Sequence, residues 1–197
     1  GDFAGSITED EGNAVLDAAD PALDALARRA SARLGAAGRG ALDLGDFYAG
    51  RTLLQRAAAL LPEGDDLRHA LAPQLAVALF ESGGEDPWEL LVAASGATDR
   101  LVRAHALVSM AFWALVKHGS SEERRAWREE ARAVFEELGD EFGLAWYWWS
   151  VVMEQWFLLH AQEAADASER VLYHVERADA SSSDIAHQAR NRLMATY

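Results

Sequence analysis

The chain has 197 residues, of which 50% are hydrophobic and 25% charged, a composition that fits one sizeable globular core or a short array of repeats. Its formal net charge of -14 argues against nucleic acid and anionic membranes as partners, because both attract basic surfaces. The absence of cysteine excludes disulfides, thiolate metal sites and cysteine nucleophiles.

The first residues, 1–19, predict an N-terminal linker, because they are acidic and lack the apolar centre of a signal peptide. The chain does not begin with methionine, so we expect it to be a piece of a larger protein. No stretch approaches the roughly 18 uninterrupted apolar residues of a membrane helix. A cytoplasmic location is expected, because the absence of cysteine fits a reducing compartment.

Beyond the linker only helical periodicity recurs, interrupted by glycine, proline and capping residues. Pro21 fits the first turn of a helix, Pro62 ends another, and Pro73 predicts either a kink or a late helix start. Ser120 and Glu123 have the spacing of a capping box. The predicted helices run over about 20–44, 47–61, 66–82, 87–95, 99–118, 121–138, 142–160, 162–178 and 183–197. The linkers are short, which predicts four antiparallel hairpins and a last helix without a partner.

The stretch LGAAGRGALDLGDFYAGRTLLQRAAALLP, residues 34–62, permits two interpretations of its glycines. A phosphate-binding loop follows a strand, opens a helix and continues into a Lys-Ser/Thr pair, and none of these is found here. The alternative, helix packing, is favoured. It predicts that Gly38 and Gly50 face each other where two helices cross, so that the backbones approach closely.

With Pro62 as the last residue of a 34-residue unit, the same stretch resembles the tetratricopeptide repeat. Gly50 stands where that family usually has alanine. The resemblance implies an all-α fold, a right-handed superhelix of antiparallel helix pairs, in one domain over 20–197. The units run over about 20–62, 63–96, 97–138 and 139–179, with small helix-crossing positions at Gly38, Ala76, Ala111 and Val152, before the helix 183–197.

A finer resemblance rests on LARRASARLGAAGRGALDLGDF, LLQRAAALLPEGD and VFEELGDEFGLAW. These stretches look like the helical-repeat region of large bacterial ATP-dependent signalling proteins, which include ATPase, adenylate-cyclase-type and transcriptional regulators. The resemblance implies a sensor or scaffold segment. It brings no ATPase or cyclase activity with it, because no residue here matches those catalytic motifs.

We expect no catalytic residue, no cofactor and no metal in this chain. No histidine belongs to a His-Glu-x-x-His segment, and the pairs His160 with Glu163 and Asp184 with His187 supply too few ligands for a closed site. No serine has the strand-to-helix setting of a nucleophile elbow.

The run AWYWWSVVMEQWF, residues 145–157, is unusually aromatic. The repeat register assigns Trp148, Val151 and Val152 to packing on the paired helix. A second stripe at helical spacing falls at positions that line the inner groove of tetratricopeptide proteins. With equivalent positions of other units, it predicts a groove of Val77, Phe80, His105, Val108, Phe112, Leu115, Trp146, Trp149, Met153 and Trp156.

Two interpretations of this stripe remain open from the sequence. It forms either a partner-binding groove or simply core, including core covered by the last helix. In a groove, Trp149→Ala with Trp156→Ala should abolish binding with little loss of helicity.

The expected function is that of a non-catalytic interaction or sensor segment. Its partner would be a protein or peptide segment, including another domain of the same polypeptide. A small-molecule effector in the same groove is an alternative, which a closed cavity of roughly 300–1,000 Å³ with His105, His160 and Glu154 converging on it would favour. A structural spacer or oligomerisation module is a further alternative, suggested by the unpaired last helix.

Overall fold

The structure is a computed structural model, and it describes residues 21–115, 119–179 and 184–194. In these ranges every regular element is helical, which confirms the all-α prediction. The helices there are α1 Pro21–Asp43, α2 Phe47–Ala59, α3 Asp66–His69, α4 Ala72–Gly83, α5 Trp88–Ser95, α6 Arg100–Trp113, α7 Ser121–Leu138, α8 Glu141–Phe157, α9 Ala161–Arg177 and α10 Asp184–Met194. The predicted linker 1–19 lies outside the described residues.

Side-chain caps fix where several helices begin. Asp46, Asp99 and Asp140 each accept hydrogen bonds from backbone N–H groups in the first turn of α2, α6 and α8. The predicted capping box is present at α7, where the side chains of Ser120 and Glu123 each accept from the other residue's backbone N–H. Such caps contribute about 1 kcal/mol each, so they position the turns as well as starting the helices.

The helix predicted over 66–82 is two helices, α3 and α4. Pro73 lies in the first turn of α4, where its missing N–H and fixed φ are tolerated, so the late start rather than the kink is present. The sequence predicted eight paired helices and one unpaired helix. This prediction was wrong, because the division of the helix 66–82 adds one helix. The other helices in the described ranges begin and end within three residues of their predicted bounds, except α6, which ends at Trp113 rather than near 118.

The glycine-rich stretch of α1 is a packing surface. A Cβ atom added at Gly38 would lie 2.8 Å from Leu54 Cγ, and one added at Gly50 would lie 3.3 Å from the carbonyl oxygen of Gly38. The predicted close crossing of the two helices at these glycines is confirmed. The stretch 35–40 is helical throughout, without the preceding strand and free amides that a phosphate loop needs.

Each helix packs mainly against the next long helix of the chain. Contacts join α1 to α2, α2 to α4, and then each successive pair from α4 to α10. In addition α4, α6, α8 and α10 contact one another in that order. The helices α4, α6 and α8, which are the first helices of the second, third and fourth hairpins, therefore lie side by side, and α10 follows them in this row.

The residues predicted at the helix crossings lie in the interior. Ala76, Ala111 and Val152 are each 0% exposed, and Gly38 is buried. The helix predicted to lack a partner is packed against α8 and α9, with its apolar side chains buried there: Ile185, Ala186 and Ala189. Its apolar face is thus satisfied within the chain.

The turn between α8 and α9 is closed by Leu159, which has φ 60° where the turns at Gly45 and Gly139 use glycine. A side chain in this left-handed region costs about 1–2 kcal/mol. Leu159 is 88% exposed, so little packing depends on it. Leu159→Gly should therefore raise the free energy of unfolding by about 1 kcal/mol in urea denaturation.

The matched control is Leu158→Gly, at a neighbouring residue with φ -82°. This variant gains no relief of strain and should be less stable than the parent chain. If both glycine variants shift the urea midpoint downwards, Leu159 is not strained.

Candidate functional site

The residues predicted to form a groove lie on α4, α6 and α8 or directly after α6, so the fold brings their helices side by side. Their exposure differs. Phe80 is exposed, two of the set are buried, and the others are half-buried: Val77, His105, Phe112, Leu115, Trp146, Met153 and Trp156. We call the accessible apolar residues among them the first-helix surface: Val77, Phe80, Phe112, Leu115, Trp146, Met153 and Trp156.

Val108 and Trp149 lie in the core, with exposures of 1% and 3%. Trp149 belongs to a cluster with Val152 and with Val171 of α9. The sequence register gave that place to other residues of α8. Because α8 contacts α6, α7, α9 and α10, it buries more than one of its faces, and a tryptophan of the predicted groove stripe becomes core.

An aromatic row lies at the C-terminal ends of α4 and α6. The ring of Trp113 is 4.8 Å from that of Phe80 and 4.9 Å from that of Phe112, between ring centroids. These separations are typical of favourable aromatic pairs. Sequence reasoning missed Trp113, although its position beside Phe112 at the end of an aromatic-rich helix was a usable signal.

The turn after α8 continues the apolar surface beyond Trp156. Phe157, Leu158 and Leu159 are 59%, 55% and 88% exposed. Single exposed apolar side chains are ordinary, whereas consecutive ones form a patch. This turn was not part of the predicted groove.

A cavity of about 240 Å³ opens between the start of α4, α6 and the start of α8. Two predicted groove residues, His105 and Trp146, line it. The remaining lining residues are Ala70, Pro73, Gln74, Leu101, Val102, Ser109 and Phe142. Its volume is below the roughly 300–1,000 Å³ of sites for drug-sized ligands.

The polar residues expected to converge for a small-molecule effector do not meet at this cavity. His105 lines it, but Glu154 accepts hydrogen bonds from two arginines of α7. His160 is exposed and pairs with Gln155 at 3.0 Å.

His105 is held by the residue that caps α8. Its Nε2 lies 2.7 Å from Oδ2 of Asp140, whose other carboxylate oxygen accepts from the N–H of Gly143 at 3.1 Å. Burial opposes ionisation of Asp140, yet the hydrogen bonds from His105 and Gly143 outweigh it, so the pKa of Asp140 is lowered. One carboxylate thus joins α6 to the start of α8.

The adjacent Glu141 joins α8 to the end of α9. Its carboxylate accepts from His174 Nδ1 and from Arg177 Nε, both at 2.7 Å. The hydrogen bond from His174, followed by that from Arg177, lowers the pKa of Glu141. Asp140 and Glu141 together tie two helices, α6 and α9, to the N-terminus of α8.

Because the pKa values of Asp140 and Glu141 are lowered in the folded state, the stability of the fold depends on pH. A carboxyl group whose pKa is lower in the folded state stabilises the fold above its unfolded pKa, and this stabilisation is lost as the pH falls through the folded pKa. Glu141→Gln should therefore be less stable than the parent chain at neutral pH, and the gap should close as the pH is lowered to about 3. Urea denaturation across this range measures the gap.

The control is Glu169→Gln, an exposed carboxylate of α9. Its stability should follow that of the parent chain at every pH. A gap between Glu141→Gln and the parent chain that stays constant down to the lowest pH would show that the Glu141 contacts do not depend on its charge.

A second charge cluster is largely buried between α7 and α8. The guanidinium groups of Arg124 and Arg128 lie 3.3 Å and 2.5 Å from the two carboxylate oxygens of Glu154. The side chains are only 17%, 8% and 13% exposed. The cluster carries two positive charges and one negative charge, so Glu154 is the group that makes its burial tolerable.

Neither a metal site nor a membrane span is found in the part of the chain that the structure describes. No three His, Asp or Glu side chains there are grouped closely enough to hold an ion. None of the helices there combines the length and apolarity needed to cross a bilayer.

The comparisons with known proteins add no assignment to this geometry. The chain matches no protein-family model, no curated protein and no solved structure.

Proposed function

We propose that the chain is a non-catalytic, tetratricopeptide-like repeat segment that binds a partner segment along its first-helix surface. In this proposal the antiparallel hairpins stack into a right-handed superhelix. The chain serves as a protein-interaction or sensor segment of a multidomain bacterial signalling or transcriptional regulator, and this context rests on the sequence resemblance.

The stacking is supported by which helices touch. Successive helices contact one another, and the first helices α4, α6, α8 and α10 contact in order. A chain in which each unit meets only its neighbours is characteristic of repeat proteins. The close approach at Gly38 and Gly50 and the buried Ala76 and Ala111 fit a repeated helix crossing.

The binding role is carried by one observation, the accessible apolar residues on helices that lie side by side. Phe80 is 46% exposed, while Phe112, Trp146, Met153 and Trp156 are half-buried. A row of this kind suits the apolar face of a helix or an extended segment. Tryptophan and tyrosine are also among the residues that concentrate binding energy at interfaces.

The small-molecule alternative has less support, because the cavity is small and Glu154 and His160 lie elsewhere. The oligomerisation alternative drew on the unpaired last helix, whose Ile185 and Ala189 are buried within the chain. A net charge of -14 further favours a partner that combines apolar and basic side chains.

The test is selection of peptides from a random display library on the folded chain, followed by affinity measurement. Phe80→Ala combined with Trp156→Ala should weaken a selected peptide at least tenfold. Tyr48→Ala is the control, because Tyr48 is 71% exposed but lies on α2, a second helix. Equal affinities for the double variant and Tyr48→Ala would refute binding at this surface.

The double variant Trp149→Ala with Trp156→Ala does not separate loss of binding from loss of stability. Trp149 is buried, and its truncation is expected to cost about 3–5 kcal/mol of stability. Any loss of binding would then follow from loss of structure.

A further inference from the structure

The cavity between α4, α6 and α8 has an aromatic and aliphatic wall. Trp146 and Phe142 contribute rings from α8, Pro73 lies at the start of α4, and Leu101 and Val102 lie at the start of α6. At about 240 Å³ the cavity is of a size for one large side chain rather than for a drug-sized molecule.

Two further lining residues, Ser109 and Gln74, offer hydrogen-bond acceptors, and we call them the acceptor wall. The Asp140 carboxylate can only accept, so the Nε2 of His105 donates to it. Ser109 Oγ donates to the carbonyl oxygen of His105 at 2.8 Å, which leaves the hydroxyl oxygen as an acceptor. Gln74 lines the cavity, and its Oε1 is buried without a hydrogen-bond partner among the described residues.

We propose that this cavity is the anchor pocket of the first-helix surface and binds the indole or phenol side chain of a partner segment. The ring would pack against Trp146 and Phe142, and its single N–H or O–H group would donate to the acceptor wall, where rotation of the Gln74 amide supplies an unused oxygen. A purely aliphatic side chain would leave these acceptors unpaired. The inference rests on the proposed function, since it names the residue that such a partner inserts.

The first experiment titrates the full chain with N-acetyltryptophanamide and with indole, observed by backbone amide shifts in nuclear magnetic resonance. Both probes should saturate, with the shifts concentrated around Gln74, His105 and Trp146. N-methylindole lacks the donor and should bind about five- to tenfold more weakly. Absence of saturable binding by both probes overturns the proposal, as does equal affinity for indole and N-methylindole.

Two variants test the walls of the cavity separately. Gln74→Leu should remove the preference for indole over N-methylindole, because it replaces the unpaired acceptor at similar size. Ala70→Leu fills the cavity and should weaken both probes at least tenfold, whereas Ala36→Leu, on the exposed side of α1, should change nothing. Unfolding curves confirm that each variant is folded, and loss of binding in Ala36→Leu equal to that in Ala70→Leu contradicts the site.

The outcomes separate this inference from the proposed function. Binding of indole without binding of N-acetyltryptophanamide would assign the cavity to a free small molecule and overturn the side-chain anchor. If display-selected peptides bind and depend on Phe80 and Trp156 but are insensitive to Ala70→Leu, the anchor pocket fails while the surface stands. If the probes bind the cavity but no peptide does, the proposed function fails.

Discussion

Replacing Glu154 with alanine is expected to lower the free energy of unfolding by about 3–5 kcal/mol, as for other buried ion pairs that lose one partner. The variant would leave Arg124 and Arg128 largely buried with no opposing carboxylate. In the described part of the chain, Arg124 Nε and Arg128 Nη1 already lack hydrogen-bond partners. Among the described residues, Glu154 is the carboxylate that pairs with both guanidinium groups.

Chemical denaturation followed by circular dichroism measures this loss. The control is Glu137→Ala, which breaks the pair with Arg100 that also crosses between helices, at side-chain exposures of 58% and 52%. The control should cost much less than Glu154→Ala, because solvent screens an exposed ion pair. Equal losses in the two variants would show that burial does not set the strength of the Glu154 cluster.

A double replacement separates charge burial from packing at the same place. Glu154→Leu with Arg128→Met removes the closer pair and keeps apolar volume, so it should be more stable than Glu154→Ala. A double variant as unstable as Glu154→Ala would indicate that shape, rather than unpaired charge, causes the loss.

The second large effect is expected at Gly143, in the first turn of α8. A Cβ atom there would lie 2.4 Å from Cδ1 of Phe135, whose side chain is 0% exposed and belongs to the central core. Because a buried ring cannot move aside without disturbing its neighbours, Gly143→Ala should cost about 1–3 kcal/mol and Gly143→Val more. Thermal and urea unfolding measure both variants.

Gly40→Ala is the matched control, since a Cβ atom at this helical glycine meets nothing within 4 Å. It should stabilise the chain by about 0.5–1 kcal/mol through the better helix propensity of alanine. A smaller side chain at the core position, Phe135→Leu, should reduce the additional cost of Gly143→Ala. If Gly143→Ala stabilises the chain as Gly40→Ala does, α7 and α8 are not in close contact at Phe135 and Gly143.

Local sequence signals predicted much of the fold. Caps, glycines and prolines affect a helix through residues within about one turn of them, so they can be recognised from the local sequence. The predictions of the Ser120–Glu123 capping box and of most helix bounds were therefore correct. The crossing of Gly38 with Gly50 followed from the repeat register. Pro73 was ambiguous because proline is tolerated in a first turn and disruptive inside a helix, and only the packing of α4 decides between them.

The site was less predictable, because exposure on a helix depends on how many neighbours surround it. Periodicity carries no information on which face of α8 lies against α6 and α10 and which remains accessible. Trp149 was therefore placed in the groove although it is core. Gln74 and Ser109 were missed because single polar residues in an apolar helix have no periodic signal.

Among the described residues, the buried apolar side chains form three clusters along the row of helices: an N-terminal cluster with Leu54 and Leu75, a central cluster with Phe135, and a C-terminal cluster with Trp149. Neighbouring clusters share different numbers of side chains. The central and C-terminal clusters share the side chains of Trp146, Trp148 and Val151, whereas the N-terminal and central clusters share Leu90. Opening of the N-terminal hairpin, α1 with α2, would thus expose Leu71, Leu75 and Ala78 of its own cluster but few side chains of the central cluster. Amide protection should accordingly rise in steps from α1 towards α8, and the chain is expected to behave as at least two cooperative folding units rather than one.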